Sequence, residues 1–208
     1  MNSYRPRGFV FPLEFPISIV RSLQEGKEFV LSDLSVSDWN PVRVIDTEEF
    51  PELYHLVDFY TQDLRLSARR SDFSVSYLGG WSDDLFMGDI FGYVEKRCPD
   101  VRGLDLYRCI LEEYDSHIPM VNPFGVSRAI TFAKLASHLL GSAPNSLKWL
   151  DISAGWGDRL LAACFLGMSY RGFDPNSDLE PIYRQIISDW GDESKQQVET
   201  LPFEDSSI

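Results

Sequence analysis

Residues 147–176 read LKWLDISAGWGDRLLAACFLGMSYRGFDPN, and the fold turns on them. A short apolar run, Leu147 to Ser153, carries an acid near its end, Asp151. Gly155-Trp156-Gly157 follows as a tight turn, and Asp158 opens a helix-like run that Gly167 stops. A second strand-like run from Ser169 ends in another acid, Asp174. Strand, glycine turn, helix and strand in this order predict the first half of a doubly wound α/β sheet.

Each part of the stretch has a physical role. Glycines at 155 and 157 permit positive φ and let a ligand approach the backbone closely. The first N–H groups of the helix that begins near Asp158 point into the same turn. A carboxylate at the tip of the second strand, Asp174, can accept both hydroxyls of a ribose. Its distance from the turn is close to the ~20 positions that dinucleotide folds use. A dinucleotide fingerprint places Gly or Ala three positions after the second glycine, and here that position is Leu160. Nicotinamide chemistry is therefore disfavoured. Acids at 151 and 158 suit a ligand carrying positive charge better than a pyrophosphate.

The pattern Asp151-x-Ser153-x-Gly155-x-Gly157, followed by Phe173-Asp174-Pro175-Asn176, resembles motifs I and II of class I S-adenosylmethionine-dependent methyltransferases. More narrowly, SAGWGDRL, Tyr170-Arg171-Gly172-Phe173-Asp174-Pro175-Asn176 and the later LPFED resemble adenine-specific (N6) DNA methyltransferase homologues of phages and large DNA viruses. The resemblance covers roughly residues 119–205. It implies S-adenosylmethionine as cofactor and a contact set of Asp151, Ser153, Ala154, Gly155, Gly157, Asp174, Pro175 and Asn176. Asn122-Pro123-Phe124, just before a predicted helix, corresponds to the loop that touches the methionine end of the cofactor, so Asn122 and Pro123 join the set. Phe203, Glu204 and Asp205 correspond to the adenine-contacting tip of the third strand. Phe203 would lie against the ring, and an acid would accept from the exocyclic amine. The catalytic motif of that family, Asp/Asn/Ser-Pro-Pro-aromatic, is not found in this sequence, and no catalytic residue is assigned.

Composition bounds the partners. The chain has 208 residues, 44% of them hydrophobic, which suffices for one large domain or a domain with a cap. No apolar run approaches the ~18 residues of a membrane span. The N-terminal stretch is broken by Pro12, Glu14 and Pro16 and makes a poor signal peptide. An intracellular protein is expected, with Cys98, Cys109 and Cys164 as reduced thiols. The net charge of −13 opposes DNA binding by this chain alone, because Lys and Arg on phosphates supply most of that affinity. DNA is expected only if a further domain or chain supplies the contacts. The single basic cluster, Arg65, Arg69 and Arg70, reads as a solvated helix end.

Along the chain, EFVLSDL (28–34) and PVRVID (41–46) alternate enough for strands or extended packing segments. Leu53, Leu56, Val57, Tyr60 and Leu64 form one helical stripe. A loop with Gly79-Gly80-Trp81 follows, then helices near 84–96 and 104–114, and a helix from about Ser127 to Leu140 closed by Gly141. After Asn176, Ser177 and Glu180 have capping-box spacing. Leu179, Ile182, Tyr183, Ile186, Ile187 and Trp190 then form a second crossover helix, and a third strand is expected near 197–201. The fold class expected is α/β: a partial Rossmann-like methyltransferase sheet in the order 3-2-1 behind a mixed, mostly helical region, with domains at 1–118 and 119–208.

Two functions fit. One is the S-adenosylmethionine-binding part of an adenine-N6 DNA methyltransferase, truncated or completed by another chain. The other is a catalytically inactive methyltransferase-like protein with a structural or interaction role. In the resembled family the first strand is central, so LKWLDIS is expected to have a partner on one side only. An unpaired apolar edge is an aggregation hazard. Either EFVLSDL or PVRVID covers it, or a second protein chain does; a protein partner is favoured.

Overall fold

The computed structural model describes residues 36–39, 42–45, 51–69, 75–118, 121 and 124–207. EFVLSDL, Arg70, Asn122 and Pro123 lie outside them. The architecture is mixed helix and strand, with a three-stranded parallel sheet. Contacts divide the chain into two compact units, and the division runs inside the first helix and again after Asn122. The sequence predicts a single boundary, at 118.

A hairpin comes first: β1 (Val36–Trp39) pairs antiparallel with β2 (Val42–Ile45). PVRVID thus forms a strand as expected, but its partner is β1. Helix α1 (Pro51–Ser67) follows. Leu53, Leu56 and Val57 are buried along its stripe. Arg65 in its last turn is 2% exposed, so the reading of that basic cluster as a solvated end fails at Arg65.

The first unit holds α2 (Tyr77–Trp81), α3 (Asp84–Arg97) and α4 (Gly103–His117). Its core joins Leu66, Tyr77, Met87, Ile90, Tyr114 and Ile118. Burying each such side chain contributes roughly 1.5–3 kcal/mol. The Gly79-Gly80-Trp81 stretch, expected as loop, is helical instead. The Ser76 side chain accepts the Gly79 N–H at 3.0 Å, which satisfies a free donor of the first turn. Packing supplies the other reason: a Cβ on Gly80 would lie 2.4 Å from Ile118 and 2.5 Å from the Tyr114 hydroxyl. Glycine is thus the residue that lets this short helix sit against α4, and Trp81 stacks on Tyr114 at 4.6 Å.

In the second unit, α5 (Val126–Leu140) ends at Gly141 with φ 61°, as the sequence predicts. Then come β3 (Lys148–Asp151), α6 (Asp158–Phe165), β4 (Ser169–Phe173), α7 (Glu180–Trp190) and β5 (Gln196–Glu199). The three strands are parallel in the order β3-β4-β5. Leu160, Leu161, Ala162 and Ala163 bury the body of α6. Tyr183, Ile186 and Ile187 bury one face of α7. The cap of that region differs from the capping box expected at Ser177. A short 3₁₀ turn, Ser177–Leu179, precedes α7, and the Asn176 side chain accepts the Asp178 N–H at 3.1 Å. Tyr60 of α1 donates to Asp189 at 2.6 Å and accepts from the Trp190 indole at 2.8 Å, which fixes the end of α7.

Among the described residues β3 pairs only with β4, so its other edge is open. Leu150 and Ile152 there are 52% and 60% exposed. A groove of about 290 Å³ runs between this strand and α5, lined by Phe132, Ala136, Leu140, Trp149 and Leu150 among others.

Candidate functional site

The register of the parallel sheet sets the site. Asp151 stands opposite Gly172, so β3 and β4 end together and their following loops meet. Ala154 in the first loop donates its N–H to Phe173 C=O at 2.8 Å. One residue on, the Gly155 N–H donates to Asp174 Oδ2 at 2.8 Å, while Asp174 Oδ1 accepts the Asn176 N–H at 3.0 Å. The acid at the tip of the second strand is thereby placed on the glycine turn. It is buried, at 7% exposure. A carboxylate has about four acceptor positions, so two are free of these backbone donors.

Gly155 and Gly157 both have positive φ, 60° and 89°. The Tyr183 hydroxyl, reaching up from α7, donates to the Gly155 C=O at 2.5 Å. Its phenol is held above the ordinary value, first by burial and then by the charges of Asp174 and Asp151. It therefore remains a donor throughout the neutral range.

Below the turn, Asp151 is the centre of a buried cluster. It accepts from Arg159 Nε at 2.6 Å, from the Tyr170 hydroxyl at 2.6 Å and from the Ser153 N–H at 3.2 Å. Arg159 also donates through Nη2 to the Ser153 C=O. Burial, with the Asp151 charge behind it, holds Tyr170 well above its ordinary value. The guanidinium that follows the glycine turn is thus folded back under it, and the charge of Asp151 is matched inside the protein.

Asp158 has a different task. Its carboxylate accepts the N–H of Phe124 at 3.3 Å and that of Gly125 at 3.0 Å. These are free donors at the start of α5, where Gly125 offers no side-chain cap. A residue of α6 therefore caps α5, and its negative charge faces the positive end of that helix. The Phe124 ring lies 5.4 Å from the Arg159 guanidinium and 5.6 Å from that of Arg128. The loop before α5 is in this way tied to the glycine turn. The sequence gives no sign of this role for Asp158, since the pairing joins residues far apart in the chain.

The remaining expected contacts fall on the same end of the sheet. Ser153, Pro175 and Asn176 are exposed, and Ala154 is buried. Phe203 opens a 3₁₀ turn, Phe203–Asp205, after β5. Its half-buried ring meets Phe173 edge-on at 5.6 Å, and Glu204 and Asp205 are exposed. Asn122 and Pro123 lie outside the described residues. Among the described residues no group of three or more His, Cys, Asp or Glu is placed to hold a metal. No helix among them is long and apolar enough to cross a membrane. Comparison with known protein families, with curated proteins and with solved structures finds no match.

Proposed function

We infer that this chain binds S-adenosylmethionine through a partial Rossmann-like sheet, as the cofactor-holding part of an adenine-N6 DNA methyltransferase. The observation that carries the reading is the Gly155 N–H donated to Asp174 at 2.8 Å, because it places the acid of the second strand on the glycine turn of the first. The residues present fit such a ligand. A Cβ built on Gly155 would have no neighbour nearer than 3.8 Å, so the backbone there can be approached. Asp174 keeps acceptor capacity for ribose hydroxyls, and the Phe203 ring with Glu204 or Asp205 would take the adenine. Asp151 is assigned to support of the turn, since Arg159 and Tyr170 donate to its Oδ2 and the Ser153 N–H to its Oδ1.

Bound there, the cofactor would supply a methyl group on an electrophilic sulfonium. The protein's contribution to such a transfer is mainly positioning. No catalytic residue is proposed. DNA contacts would come from a further domain or chain, given the charge of −13. A second reading, an inactive methyltransferase-like protein that binds a protein partner, is favoured by the open apolar edge of β3 among the described residues. Calorimetric titration with S-adenosylmethionine or its demethylated product tests the site. Binding is expected, weakened by Asp174→Ala about tenfold or more, equivalent to at least ~1.4 kcal/mol. Absence of heat at millimolar ligand would reject it. Tritium transfer to DNA is expected to stay at blank; counts above blank would show a catalytic element this reading omits.

A further inference from the structure

The first unit carries a pair of thiols that the cofactor site does not use. Cys98 stands at the C-terminal cap of α3, and Cys109 lies on α4. Both are half-buried, and their sulfurs are 3.2 Å apart, with Cys109 donating to Cys98. Cys164, the third cysteine, is buried. A disulfide has an S–S length of about 2.05 Å, so closing the bond asks for a movement of about an ångström between two side chains whose helices already pack together. Arg97, beside Cys98, pairs with Glu113 at 3.1 Å and with Glu112 at 3.8 Å, so the same two helices are tied together near the thiols.

We propose that Cys98 and Cys109 are a reversible dithiol–disulfide site that fastens the end of α3 to α4. The oxidant is a low-molecular-weight disulfide, RSSR, acting by exchange. The Cys98 thiol loses its proton to solvent, and its sulfur attacks one sulfur of RSSR. The R–S–S–R bond breaks, the mixed disulfide Cys98–S–SR forms, and RS⁻ leaves and takes up a proton. Cys109 then loses its proton, attacks the Cys98 sulfur and expels the second RS⁻. The two protein thiols are oxidised by two electrons, and RSSR is reduced to two RSH. Cys109 is placed for the second step, because its sulfur lies 3.2 Å from that of Cys98. Attack by a thiolate requires exposure, which both sulfurs have in part and Cys164 lacks.

The test uses the 208-residue chain, oxidised with hydroxyethyl disulfide, blocked with iodoacetamide and read by intact mass and peptide mapping. The expected product is a monomer with a Cys98–Cys109 bond and Cys164 alkylated only after denaturation. Its thermal midpoint rises by several degrees and returns on reduction. Cys98→Ser should give only a mixed adduct on Cys109 and no rise. Cys98 and Cys109 both alkylated after oxidation, a stable mixed adduct on each, or a linkage between chains would overturn the proposal.

Discussion

Gly155 and Gly157 share positive φ, yet their surroundings differ. A Cβ on Gly157 would lie 2.8 Å from Cδ1 of Ile186, a fully buried residue of α7. One on Gly155 would meet nothing nearer than 3.8 Å. The sequence treats the two alike, as turn glycines that permit positive φ and close ligand approach; the packing separates them. Gly157→Ala combines left-handed strain of ~1–2 kcal/mol with overpacking of ~1–3 kcal/mol. It should lower unfolding free energy by about 2–5 kcal/mol in urea titration. Gly155→Ala carries the strain alone and should remain folded while losing ligand affinity about tenfold or more. Equal stability losses for the two variants would contradict the assignment of Gly157 to packing. At this scale the glycines and Asp174 were legible because turn geometry and strand-end position depend on local sequence. The enclosure of Asp151 by Arg159 and Tyr170 was not. Its partners come from α6 and β4, and only the parallel register brings them together.

The elements from α5 to β5 are read nearly to their ends because Gly141 marks a helix stop and the apolar stripes have helical period. The α2 helix was missed for the opposite reason. Gly79-Gly80 has turn propensity, and only the Tyr114 and Ile118 side chains, a helix away, explain why glycine is needed there. The start of α5 is likewise set at a distance, by Asp158. Asp158→Ala leaves the Phe124 and Gly125 N–H groups without that acceptor and should cost ~1–3 kcal/mol, with faster amide exchange at both positions. Unchanged exchange there would remove Asp158 from the cap. The edge of β3 that is open among the described residues makes its own prediction. In a demonstrated monomer, amides of Leu150 and Ile152 should exchange quickly, and strong protection would mean that some other part of the chain covers the edge.

For the molecule as a whole, buried hydroxyls and a thiol set the alkaline limit. Burial pushes the Cys164 thiol from 9.0 up to about 12. Tyr60, Tyr77, Tyr114, Tyr170 and Tyr183 all stand above their ordinary value of 10.0, with burial the leading cause in each. The folded chain therefore keeps protons that the unfolded chain releases. Their contribution is fully present below the unfolded values and is lost as pH rises from there toward the folded ones. The thermal midpoint should hold steady through neutral pH and fall from about pH 9 upward; a flat profile to pH 11 would contradict this burial pattern. The charge of −13 at pH 7 makes nonspecific self-association less favourable. The central claim is that the ends of β3, β4 and β5 form one cofactor site. Its most direct test is a two-dimensional amide NMR titration of the ¹⁵N-labelled chain with S-adenosylhomocysteine. Shifts concentrated at Gly155, Gly157, Asn176 and Phe203, with α3 and α4 unmoved, are the predicted result. No shift at millimolar ligand, or shifts confined to other residues, would contradict it.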